Sequence, residues 1–249
     1  MTTRPWLLPL GLVLLTLVPM AGGVLRLGQV AAGAVTPENA RFLASPVPIV
    51  LHVVGATLFC LLGAFQFVPA LRRRRWHRVA GRVLVPAGAV AALSGLWMTL
   101  LYPRAEGDGV LLWSLRLTFG TAMLVALVLG VLAISRRDVP RHRAWLARAY
   151  AIGQGAGTQV LTTLPWVLLV GPPSVLTRAL LLGAGWVLNL LVVEWALHRR
   201  PTHPSTHTHA RTARTARTAR TAGTAGTAGT AGNEGWRPWA GGVMRGRRP

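Results

Sequence analysis

Six apolar stretches, each long enough to cross about 30 Å of hydrocarbon, recur along this chain, near residues 6–24, 47–70, 83–102, 113–134, 144–170 and 178–197. A bilayer offers no water to a free peptide group, so runs of this length are expected to be helices whose backbone bonds close within each segment. The sequence therefore predicts an all-α fold, a polytopic membrane helix bundle of about six transmembrane helices over residues 1–200. Composition agrees, with 52% hydrophobic residues, 13% charged residues and a mean hydropathy of +0.45. The first stretch also has the outline of a signal peptide, since Arg4 precedes an apolar run that ends in Ala21-Gly22-Gly23. Its core is long and carries Pro5, Pro9 and Pro19, which favours a retained helix.

Charge is sorted between the connections. All 27 basic residues are arginine against six acids, a formal charge of +21. Arg4, the block Arg72 to Arg75 with Arg78 and Arg82, the block Arg136, Arg137, Arg141 and Arg143, and the pair Arg199 and Arg200 fall on one side. The opposite loops hold Arg26, Arg41 and Arg104, offset by Glu38, Glu106 and Asp108. The positive-inside rule then places both termini in the cytoplasm. Anionic lipid headgroups are the partner such a face expects. Nucleic acid is not, because the arginines sit in short blocks between apolar runs. Protein partners are left open. Cys60 is the only cysteine, which excludes an intrachain disulfide and a cysteine metal cluster.

Beyond residue 200 the composition changes to Thr-Ala-Arg and then Thr-Ala-Gly repeats. A segment with so little to bury cannot offset its chain entropy, so 201–249 is expected to be a disordered low-complexity tail. His203, His207 and His209 lie in it and, without a fold to gather them, are not expected to bind metal.

Polar residues inside the apolar stretches mark the candidate chemistry. In the second stretch His52, Gly55, Ala56, Phe59, Gly63 and Gln66 project within about 60° of one direction on a helix. That face should point into the bundle, and His52 would lie about 7 Å below the helix start at 1.5 Å per residue. Its bland alternative to a functional role is a structural bond across helices, to a carbonyl of the fourth or sixth helix. In the fifth stretch Tyr150, Gln154, Thr158 and Thr162 follow at i, i+4 spacing, with Gly153 and Gly157 as a Gly-x-x-x-Gly contact beside them. Arg116 reaches about the depth of His52 and could share its site. Glu194 is expected to snorkel or to pair with Arg82, Arg143 or Arg148.

At the basic end, His77-Arg78-x-x-x-Arg82 opens the third helix and His142-Arg143-x-Trp145-x-x-Arg148 opens the fifth. Two helix N-termini side by side, with free N–H groups and arginines, would suit a phosphate or carboxylate. Arginines that only set topology are the alternative.

The run from Phe42 to about Gln159 carries His52, Gly63-x-Phe65-Gln66-Phe67-x-Pro69-x-Leu71-Arg72, His77-Arg78-x-x-Gly81-Arg82 and His142-Arg143-x-Trp145-x-x-Arg148. In this combination it resembles the bacterial membrane proteins of domain of unknown function 2306, over a family-like region of about 42–160. The resemblance implies a membrane protein and draws attention to His52, Gln66, His77, Arg82, His142 and Arg148. It implies no substrate.

The leading expectation is a membrane protein that handles a small anionic ligand or lipid, through the His/Arg junctions and the polar space between the second and fifth stretches. Its candidate residues are His52, Gln66, His77, Arg78, Arg82, His142, Arg143, Arg148 and Gln154. A haem- or quinone-linked redox protein is the second reading. Haem b would need two axial side chains at matching depth, and His52 has no evident partner there. A structural or regulatory subunit is the third. No Gly-x-Ser-x-Gly elbow, Walker loop or His-Glu-x-x-His helix is present in the sequence. Whether the protein is an enzyme is left open.

Overall fold

A computed structural model of the chain describes residues 6–72 and 75–199. The repeat tail, its histidines, Arg4, Arg73, Arg74 and Arg200 lie outside the described residues. Helices make up the regular structure of that region: α1 (Leu7–Ala32), α2 (Ala40–Ala44), α3 (Pro46–Phe65), α4 (Pro69–Arg72), α5 (Arg75–Leu101), α6 (Val110–Ser135), α7 (Val139–Gly153), α8 (Gly155–Leu169) and α9 (Val175–His198). Five of them, α1, α3, α5, α6 and α9, are long and apolar enough to cross a membrane.

The ends of these helices follow from local chemistry. Gly33 closes α1 in the left-handed conformation, φ 71°, which lacks a Cβ penalty only in glycine. Asp138 accepts the Arg141 N–H at 3.0 Å and Ser174 accepts the Thr177 N–H at 3.2 Å, capping α7 and α9. Pro46 and Pro140 occupy first-turn positions where no intrahelical N–H bond is lost.

The sequence predicts one helix over 144–170, and here the structure differs. The segment is divided at Gln154 into α7 and α8, fifteen residues each. The run Gly153-Gln154-Gly155-Ala156-Gly157 carries three glycines, each of which loses more conformational freedom in a helix than any other residue, and carbonyls left over at the break find side-chain donors. Asn189 Nδ2 donates to Ala151 O at 3.0 Å and Cys60 Sγ donates to Gly153 O at 3.5 Å. A helix interruption inside a membrane protein is tolerated on this condition.

The break decides the layout. α7 packs on α6, α9 and α3, filling the centre of the bundle at the end where His142 lies. α8 turns aside and packs on α9 and α1. The remaining neighbours close a ring through α1 on α3, α3 on α5, α5 on α6 and α6 on α9. The centre is thus occupied by α7 at the His142 end and vacated by α8 at the end where Arg41 lies. The buried core, Phe59, Leu84, Met123, Leu127, Tyr150 and Ile152 with several alanines, sits around α7. Small residues let the backbones close in: a Cβ at Gly55 would stand 2.9 Å from Ala87 O. Large apolar side chains such as Leu14, Leu100, Val128, Leu168 and Leu191 face outward, as lipid requires.

Candidate functional site

The space vacated at the Arg41 end is a cavity of about 390 Å³, within the size range of small-molecule sites. Its walls are apolar and aromatic: Ile49 and Phe59 of α3, Leu112, Phe119 and Met123 of α6, Leu182 and Trp186 of α9. Phe119 and Trp186 stack at 4.8 Å between ring centres. Glycines make room for the larger groups. Phe59 lies between Gly88 and Gly153, where an added Cβ would stand 2.8 and 2.7 Å from its ring.

His52 forms part of the wall. Its Nδ1 lies 2.9 Å from Ala91 O on α5. A carbonyl only accepts, so Nδ1 carries the proton and Nε2 of the neutral ring is left as an acceptor. The expected cross-helix bond is therefore present, but to α5, the third long helix, because α3 and α5 are the closely packed pair. Gly95 permits it, since a Cβ there would come within 3.2 Å of His52 Cε1. Gln159 also lines the cavity and donates from Nε2 to Leu182 O at 3.0 Å.

The mouth is basic. Arg41 and Arg116 line it, below Asp108 in the loop before α6. The Asp108 side chain is 2% exposed; Arg116 Nη1 meets its Oδ2 at 2.6 Å and Arg178 Nε stands 3.3 Å from its Oδ1. One carboxylate thus answers two arginines, and a third, Arg41, lies within their field. Burial, foremost, and the nearby Arg116, Arg26 and Arg178 guanidiniums depress the Arg41 pKa, while Asp108 opposes the shift. Among the described residues, Arg41 Nη1 reaches only Pro103 O, at 3.4 Å, and its buried Nε has no hydrogen-bond partner.

Local chemistry positions this end. Buried Asn39 accepts the Thr36 N–H at 2.7 Å and donates to Ala34 O at 2.8 Å, holding the loop into α2. Phe42 then lies beneath two guanidiniums, Arg26 and Arg41, each 4.7 Å from its ring centre, and edge-on to Tyr102 at 5.7 Å. The Tyr102 hydroxyl donates to Ser45 O.

Among the nine candidate site residues named from sequence, only His52 lines this cavity, with Ala56 and Phe59 of its helix face and Gly153 beside it. Arg116 shares it, as its depth implied. Gln154 lies at the helix break, donating to Leu12 O at 2.7 Å and Thr16 Oγ1 at 3.0 Å on α1. Thr158 donates to Asn189 Oδ1 at 2.7 Å and Thr162 to Leu181 O at 2.8 Å, so both bond to α9. Gly153 and Gly157 do not share one contact: the first faces Phe59 and Met123, the second the Leu15 backbone of α1, because the break lies between them.

The basic junctions stand at the other end. His142 Nδ1 donates to Gly130 O at 2.8 Å, and Arg148 binds Glu194 through two bonds, 2.6 and 2.9 Å, while stacking 4.8 Å from Trp145. Arg148 is one of the three partners expected for Glu194. Half-buried His77 and Gln66 have contacts of their own, whereas Arg78, Arg82 and Arg143 are exposed. α6 packs against both α5 and α7, which are not themselves a principal packing pair among the described residues.

Sequence reasoning passed over Arg41, Asp108, Arg178, Thr16 and Asn189. Three of these were visible only as loop charge or as a helix-terminal arginine, and their meeting depends on which loops the bundle brings together. No curated protein and no solved structure matches the chain. The family described as predicted membrane protein (DUF2306) matches residues 49–197, past the 42–160 region of the sequence resemblance and through α9. With that match covering more than half its length, the chain belongs to the DUF2306 family of predicted membrane proteins.

Proposed function

We propose that this membrane protein binds a small amphiphile with an anionic head, seated in the cavity at the Arg41 end. The observation that carries the reading is the charge imbalance there: Arg41, Arg116 and Arg178 surround a single buried carboxylate, above walls that are apolar. A guanidinium held partly out of water beside others of its sign is stabilised by an anion, and a carboxylate or phosphate meets its geometry. The ligand class matches the sequence expectation, but the site moves from the junctions to the cavity. At the junctions, His142 and Arg148 already have partners within the protein. Exposed Arg78, Arg82 and Arg143 are then left to meet headgroups of the inner leaflet. By the positive-inside rule the cavity opens toward the outer side of the membrane.

The haem reading gains no support from placement. His52 and His142 each donate Nδ1–H to a carbonyl, as metal-ligating imidazoles do, but they stand at opposite ends of the bundle.

Arg41→Gln tests the proposal, because Arg41 has no ion pair to lose within the described residues. With a fluorescent single-chain carboxylate as probe, the purified protein should bind saturably. Loss of a charge-assisted contact should weaken the variant by about tenfold or more, and the uncharged alcohol of equal length should bind weakly to both. Equal binding of acid and alcohol, or an unaffected variant, would refute the anion site.

A further inference from the structure

A second cavity, about 270 Å³, lies on the other side of α3, under α1. Met20, Gly22 and Gly23 of α1 and Val53 and Thr57 of α3 line it, and Arg26 stands at its Arg41 end. Ile49, His52, Ala56, Cys60, Gly153 and Ala156 border both cavities. α3 and α8 are not a principal packing pair, so the partition between the two spaces is this row of mostly small side chains. The two mouths also lie close together. Arg26 belongs to the second and Arg41 to the first, and both guanidiniums lie over the Phe42 ring at 4.7 Å, so no more than one aromatic ring separates them.

One basic cluster above two apolar cavities has the layout of a lipid with one head and two chains. Resting on the anionic-amphiphile reading above, we infer that the ligand is a two-chain anionic phospholipid. Its phosphate sits at Arg26, Arg41 and Phe42, and the upper part of one chain lies in each cavity. α1 leaves most of its surface to the bilayer, with Pro9 and Thr16 its buried residues, so the second chain has lateral access beneath it. Burial of the second chain distinguishes this ligand from a fatty acid or a lysolipid, which would fill only the larger space.

The test is native mass spectrometry of the purified full chain from mixed micelles containing phosphatidylglycerol, lysophosphatidylglycerol and phosphatidylcholine. The expected result is one phosphatidylglycerol per protein, retained at least about tenfold better than the lysolipid, which corresponds to about 1.4 kcal/mol supplied by packing of the second chain against the walls of the second cavity. Thr57→Phe, which fills the second cavity, should abolish that preference while leaving lysolipid binding unchanged. Equal retention of the one- and two-chain anionic lipids by the wild type overturns the inference, whether or not the variant folds. So does a ladder of several bound lipids without a preferred first one, the sign of surface lipid only. If lysolipid binding depends on Arg41 but no two-chain preference exists, this inference alone fails. If phosphatidylcholine binds as well as phosphatidylglycerol, the anion site fails with it.

Discussion

Gln154→Leu isolates the link that ties α1 to the break between α7 and α8. Gln154 is 3% exposed and makes bonds to Leu12 O at 2.7 Å and to Thr16 Oγ1 at 3.0 Å. Leucine has nearly the same volume, so the change removes polarity with little cavity. The Leu12 carbonyl is not orphaned, since Thr16 Oγ1 continues to donate to it at 2.8 Å. Interhelical side-chain bonds in membrane proteins average about 0.6 kcal/mol, with a maximum near 1.7 kcal/mol. Two lost bonds therefore come to roughly 1 kcal/mol, and an amide buried in hydrocarbon without partners is not created. Thr16→Val should lose about half as much, and the double variant should cost less than the two singles together, with a coupling of about 0.6 kcal/mol. The assay is reversible unfolding in mixed micelles, following tryptophan fluorescence, for all four members of the cycle. Strict additivity would show that the Thr16–Gln154 contact carries no energy. A Gln154→Leu protein more stable than wild type would show that α1 is held by packing alone.

A glycine at the centre and one on the lipid-facing surface of α1 test the packing of the bundle. Gly63 faces the Tyr150 ring, and that ring cannot swing away because its hydroxyl donates to Cys60 O at 2.8 Å. Gly63→Ala should therefore destabilise by about 1–3 kcal/mol, whereas Gly11→Ala, with nothing within 4 Å of the added Cβ, should be neutral or gain up to about 1 kcal/mol; the same unfolding assay ranks the pair, and a reversed order defeats the account. Arg148→Lys keeps the charge but gives up the bidentate bond to Glu194 and the stacking on Trp145. With both side chains about a third exposed, the loss should stay near 1 kcal/mol and shrink in high salt, and a salt-independent loss would point to packing instead.

The apolar stretches and the segregation of arginine were legible because each is a local property. A peptide in hydrocarbon must satisfy its own backbone, so length and hydropathy alone specify a helix. The break at Gln154 was not legible in that way. Its glycines suit a helix contact as well as an interruption, and the interruption is stabilised by Asn189, Cys60 and Thr16, which come from three other helices. The polar faces of the second and fifth stretches were recognised, but their partners were not. His52 bonds to α5, and Thr158 and Thr162 to α9, through choices that belong to the packing of neighbours.

The amino-acid sequence by itself determined the helical class, the number of apolar segments to within the divided fifth one, the basic end and the family. The first three follow from composition within windows of about twenty residues, and the family from the ordered motifs between Phe42 and Gln159. Only the tertiary structure decided that α8 leaves the centre, that a cavity opens there, and that Arg41, Asp108, Arg116 and Arg178 gather at its mouth. The physical reason is sequence distance. Thr16 and Gln154 are separated by 138 positions, and Arg41 and Pro103 by 62, so neither contact leaves a periodic trace in the chain. Each exists because packing the small-residue faces of the helices brings those groups within a hydrogen bond of one another.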